Sequence, residues 1–169
     1  MRILEKYANL LVHYCLEIKS GDRLYISTTT LAQPLVREVY RAAMKAGAHI
    51  DIKMAFREEA KIFLNRANDD QLAHVSPLQK EAMENYDAYL AIRAPFNLKE
   101  TQSVDPEQRK KRSKALSGIN QTYFTRTADR SLKRSLCQYP TQASAQEAGM
   151  SLEEYKQFVI GRASCRERV

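Results

Sequence analysis

The stretch from Arg23 to Lys53 constrains the fold of this chain more than any other. A short run with Leu24 and Ile26 on one face is followed by apolar residues at helical spacing: Leu31, Leu35, Val39, Ala42/Ala43 and Ala46. A second short run then alternates, with Ile50 and Ile52 expected to point inward. Thr30 and Gln33 have the spacing of a capping box, and Gly47 stands where a left-handed residue would end the helix. Strand, helix and strand in this order make a βαβ unit, whose crossover is almost always right-handed and whose strands are parallel. The expected fold class is therefore α/β, an open and largely parallel sheet with helices on both faces.

The 169 residues suffice for one domain that buries roughly 70% of its unfolded surface. No apolar run approaches the ~20 residues that span a bilayer, so no membrane partner is expected. The N-terminal segment is amphipathic and carries Glu5, which argues against a secretory leader. Cys15, Cys137 and Cys165 are odd in number and lack Cys-x-x-Cys spacing, which fits reduced thiols in a cytoplasmic protein. Of the net charge of +7, residues 99–134 supply +6, from 10 basic and 4 acidic side chains, densest at Arg109–Arg112 with Lys114. No aromatic residue interleaves with those charges, so a solvated helix face is expected there and not a nucleic-acid interface.

Taken in order, residues 3–18 carry a stripe of Leu4, Tyr7/Ala8, Leu11, Cys15 and Ile18, with His13 off it. Ser20 to Asp22 turn the chain into the first strand. A helix is expected over 58–67 with Ile62, Phe63 and Ala67 inward, then a short turn opened by Asn68 and Gln71. Ser76, Pro77 and Gln79 open the next helix, to about Asn85. Asp87–Arg93 reads as a nearly continuous apolar strand covered on both faces. Asp105 and Pro106 start the basic helix, a further helix covers 119–128, and 132–138 form a fourth strand. Thr141–Ala148 is a helix stopped by Gly149, and Ser151 with Glu154 caps the last one, with Leu152, Tyr155 and Phe158/Val159 inward. Beyond Ile160 the apolar period stops, so the expected domain is 1–160, with 161–169 an unrelated or disordered tail.

Residues able to carry chemistry are few. His13, His49 and His74 show no HxH, HxxxH or HExxH pairing, and His49 is expected to be a partly buried structural residue at a strand start. Glu58-Glu59, Asp69-Asp70 and Glu153-Glu154 are adjacent on helices and point about 100° apart, so none forms a carboxylate clamp. Ser27, Thr28, Thr29 and Thr30 lie between a strand end and a helix start, where open α/β sheets bind anions. That loop lacks the glycine of a phosphate cradle, and turn chemistry accounts for the same hydroxyls. Cys15 and Cys137 are expected in apolar, inert surroundings.

The block Gln138-Tyr-Pro-Thr-Gln-Ala-Ser-Ala-Gln-Glu-Ala-Gly-Met-Ser-Leu-Glu-Glu-Tyr-Lys-Gln-Phe-Val159 resembles the Tyr-Pro-Thr…Gly-Met-Ser-hydrophobic-Glu-Glu-Tyr/Phe motif of the M29 metalloaminopeptidases. Leu4–Val12, Ile18–Arg23, Thr29–Leu35, Ala46–His49 and Ile92–Pro95 with Asn97 follow the same family in order. The resemblance implies an exopeptidase that removes N-terminal residues from peptides with two divalent ions (zinc, cobalt or manganese), polarising the scissile carbonyl and activating a bridging water. It implies that the Glu, His and Asp ligands lie in a C-terminal domain absent from these 169 residues. No metal and no catalytic residue is therefore expected in this part, and the chain alone is expected to be inactive. A homodimer is compatible with the resemblance. The other reading is a stand-alone α/β module that binds a small anionic ligand at Ser27–Thr30.

Overall fold

The computed structural model describes residues 3–164 of the backbone, with side chains through residue 161. Four parallel strands form one sheet in the order β2-β1-β3-β4: β1 (Arg23–Thr29), β2 (His49–Ala55), β3 (Ala88–Arg93) and β4 (Lys133–Gln138). The expected βαβ unit is present, with α2 (Gln33–Lys45) joining β1 to β2. Gly47 adopts φ +82° after α2, and a Cβ there would sit 2.7 Å from Ser20 Oγ, so both conformation and space require glycine.

Alternation along the two central strands divides the core. Leu24, Ile26, Ala88, Leu90 and Ile92 face α2 and the N-terminal helix α1 (Ile3–Asn9), and none of the five is more than 3% exposed. Tyr25 and Tyr89 face the other way, against α5 (Pro77–Asn85) and α7 (Ser117–Ala128), through Ala82, Met83, Ile119 and Tyr123. Helices thus cover both faces, as the continuous apolar text of β3 predicts. A satellite cluster of Leu64, Leu72 and Val104 ties together α3 (Glu59–Arg66), α4 (Asp69–Ala73) and the segment leading into α6 (Pro106–Ala115).

Several expectations give way to tertiary context. The N-terminal helix passes after Asn9 into a π-helical segment, Leu10–Cys15. Leu16 N–H donates to Leu11 O, five residues back, and the wider turn displaces the apolar stripe by one position. Leu16 is fully buried in place of Cys15, which is exposed, so the expected apolar setting holds for Cys137 alone of these two. Thr30 and Gln33 form no capping box: Thr30–Ala32 is a 3₁₀ turn, and α2 starts behind it without a side-chain cap. Leu31 in that turn is 37% exposed, and Ala32 takes the buried place. Because β2 is an edge strand, only Ile50 packs on the core, while Ile52 is 36% exposed and His49 lies at the surface. In α3, Leu64 is buried and Ile62 exposed, because α3 rests on α4 and α6 and not on the sheet.

The predicted caps at Asn68/Gln71, Ser76, Asp105 and Ser151/Glu154 are made, and Thr141 supplies a further one. Two short helices close the chain, α8 (Gln142–Glu147) and α9 (Leu152–Ser164). Tyr155 and Ile160 of α9 are buried, whereas Phe158 is 43% exposed. The helix continues past Ile160 to Ser164, and the rest of the expected tail lies outside the described residues.

Candidate functional site

The crossover from β1 to β2 runs over one face of the sheet through α2. The return to β3 ends in α5 on the opposite face, so a crevice opens at the carboxyl ends of β1 and β3. Ser27, Thr28 and Thr29 prove to be the last residues of β1, and Thr30 begins the 3₁₀ turn. Thr28, 7% exposed, donates its hydroxyl to Ile92 O at 2.8 Å, and Thr29 donates to Ala94 O at 2.6 Å. The hydroxyl protons of Thr28 and Thr29 are thus given to the chain leaving β3 and not to an anion. Ser27 points to the α5/α7 face within hydrogen-bond reach of Tyr89, and Thr30 is exposed.

On that face a cleft of about 590 Å³ runs between α7 and the sheet. Its floor holds Ala91 and Leu136, and α7 contributes Asn120, Tyr123 and Phe124. A chain of rings reaches the cleft at Tyr89 and Tyr123: Tyr86 edge-on to Tyr25, Tyr25 stacked on Tyr89, and Tyr89 edge-on to Tyr123, with centroids 5.8–5.9 Å apart. Burial raises the Tyr25 and Tyr89 hydroxyls above their ordinary range, and both stay neutral near pH 7. Arg23 lies over the Tyr86 ring at 4.3 Å, and the Tyr86 hydroxyl donates to Asp51. At the two ends of the cleft stand Arg93 and Arg134, and Arg134 Nη1 donates to the Tyr123 hydroxyl at 3.0 Å. Sequence reasoning singled out neither arginine nor Asn120, because 41 residues separate the arginines and only the β3–β4 pairing brings them to one cleft.

The Gln138–Val159 block is committed to structure. Tyr139 N–H donates to Arg93 O, extending the ladder, and Thr141 caps α8 through Ser144 N–H. Gln138 Nε2 reaches the Tyr155 hydroxyl at 2.8 Å, Gly149 turns at φ +66°, and Ser151 and Glu154 bond each other's backbone N–H. The block builds a strand exit and two helix starts.

Residues 1–167 match the family profile described as thermophilic metalloprotease (M29). The chain belongs to the M29 family. It is 30% identical over 154 residues to aminopeptidase 2 of Geobacillus stearothermophilus, a match covering 85% of this chain and 36% of that protein. The wild-type AmpT structure from Thermus thermophilus superposes with a TM-score of 0.78 over 96% of this chain and 43% of its own, at 19% identity, and shares the fold. The chain thus spans less than half the length of both relatives.

M29 membership implies divalent metal, and the residues described do not fit a metal pair. Among the described residues no three His, Cys, Asp or Glu side chains converge. His13 lies on the π-helical segment, His49 at the edge strand and His74 beyond α4, each at the surface. Asp69 pairs with Lys111, Glu153 with Lys156, and Glu154 with Ser151. In the basic helix α6, Arg112 donates to the carbonyls of Leu72 and His74 and lies over Phe63, so part of that charge is structural. No helix among the described residues is long and apolar enough to cross a membrane.

Proposed function

We propose that this M29 chain is the N-terminal domain of a metal-dependent aminopeptidase that removes N-terminal residues from peptides in the cytoplasm. The observation that carries the reading is the family match over residues 1–167 together with the share of the relatives it spans. In this reading the two divalent ions, zinc, cobalt or manganese, are held by Glu, His and Asp residues outside these 169. The domain acts as a rigid wall beside the peptide-binding cleft. Thr28, Thr141 and Ser151 make strand ties and helix caps, which suits a scaffold that holds its shape while chemistry proceeds elsewhere.

The test is a chimera. Residues 1–160 are joined to the part of Geobacillus aminopeptidase 2 that follows its matched segment, and release of leucine from a leucyl peptide is measured with cobalt, zinc or manganese. Chelator-sensitive release by the chimera, absent from each half alone, is the expected result. A Geobacillus part that is fully active without this domain would overturn the proposal.

A further inference from the structure

The 590 Å³ cleft on the α5/α7 face is lined by two guanidinium groups and by no carboxylate. Two other polar hollows among the described residues carry both signs. One pairs Arg57, Lys61 and Lys99 with Glu58 and Glu100, and another sets Lys53 beside Asp51 and Glu81. Arg93 makes no side-chain hydrogen bond or ion pair among the described residues, and Arg134 gives one N–H to the Tyr123 hydroxyl. A guanidinium carries five donors, so most of this capacity faces the cleft and its mouth.

The β3–β4 register fixes the spacing. Arg134 lies opposite Tyr89, and Arg93 is four residues further along β3, so their Cα positions are separated by about 13 Å along the strands. Between them the floor is apolar: Ala91, too small to fill it, and Leu136, 52% exposed, with Phe124 on the wall 62% exposed. Asn120 adds an amide beside Tyr123 on the same helix. The volume lies within the ~300–1,000 Å³ typical of small-ligand sites.

We propose that this cleft binds an organic carboxylate with an apolar body, of the size of a dipeptide with a free C-terminus. The carboxylate is held by one guanidinium, and the apolar body rests on Leu136 and Phe124. Bidentate pairing of guanidinium with carboxylate provides the selectivity for an ionised terminus. Ser27, Thr28 and Thr29 of the expected anion loop line the same cleft, but the hydroxyls of Thr28 and Thr29 are donated to the chain leaving β3, which leaves the guanidinium groups as the anion's partners.

The experiment titrates the 169-residue chain with N-acetyl-leucyl-leucine, its C-terminal amide and inorganic phosphate, read by calorimetry or amide shifts. The acetylated probe has no free amine, so the result stands apart from the aminopeptidase reading. The acid is expected to bind at least tenfold more tightly than the amide and than phosphate. Arg93→Gln or Arg134→Gln should weaken it fivefold or more, and Leu136→Glu should abolish it, all three with unchanged unfolding midpoints. Arg109→Gln, on α6 outside the cleft, should leave it unaltered. Failure of the acid to bind, equal binding of the amide, phosphate as strong as the peptide, or indifference to both arginine variants would each overturn the proposal.

Discussion

The buried Thr28 hydroxyl donates to the Ile92 carbonyl at 2.8 Å, tying the last turn of β1 to the exit of β3 across the point where the crossovers diverge. Thr28→Val keeps the volume but removes the donor, so the Ile92 carbonyl loses this partner in a dry site. The expected loss is about 1 kcal/mol, seen as a lower urea midpoint at unchanged slope. Thr28→Ser, which keeps the hydroxyl, should recover most of the hydrogen-bond component.

Lys133 Nζ donates to Asp22 Oδ2 at 2.6 Å, joining the start of β4 to the turn before β1, and Lys19 N–H donates to the same oxygen at 2.8 Å. Burial alone would raise the Asp22 carboxyl. The hydrogen bonds from Lys133 and Lys19, with their charges, outweigh it and hold the group below its ordinary 3.8. A lowered carboxylate stabilises the fold fully above its unfolded value, and that contribution fades as pH falls below 3.8 through the folded value. Asp22→Asn should therefore cost about 1–2 kcal/mol at pH 7. Urea midpoints of wild type and variant should converge on acidification below the carboxylate range.

How far the fold was legible follows from where each element packs. The βαβ unit, β3 and four caps follow from local spacing, because each is decided by residues within a few positions of one another. The burial of Leu16 in place of Cys15 was not legible, since nothing in the apolar period announces an i→i+5 turn. Ile52 and Ile62 have inward-facing spacing but sit on an edge strand and a peripheral helix, and strand order is a tertiary fact. The cleft was invisible for the same reason: Arg93 and Arg134 meet only through pairing of β3 with β4. The hydroxyls at Ser27–Thr30 were visible, but the carbonyls that take up two of them lie 64 and 65 residues away.

Ser151→Ala removes the N-cap of α9 and one half of its exchange with Glu154. The expected loss is about 1 kcal/mol, measured by thermal or urea unfolding. In a polypeptide carrying the whole family length, turnover should follow stability only. A hundredfold fall in turnover at unchanged stability would assign the block a catalytic part.

Burial pushes the Cys137 thiol up to about 12, with Tyr7 beside it, so almost no thiolate exists near neutrality. Iodoacetamide at pH 8, followed by peptide mapping, should leave Cys137 unmodified in the folded chain and label it fully in urea. Cys15, exposed on the π-helical segment, should be labelled first of these two.

In the proposed function this M29 domain shapes an aminopeptidase without itself holding the hydrolytic metals. The most direct measurement is hydrolysis of aminoacyl-p-nitroanilides by the purified 169-residue chain, with cobalt, zinc or manganese added and with chelator as control. No metal-dependent release is expected, because no three ligating side chains converge among the described residues. Turnover that survives purification and is lost on chelation would contradict it, and would place a working metal site within these residues.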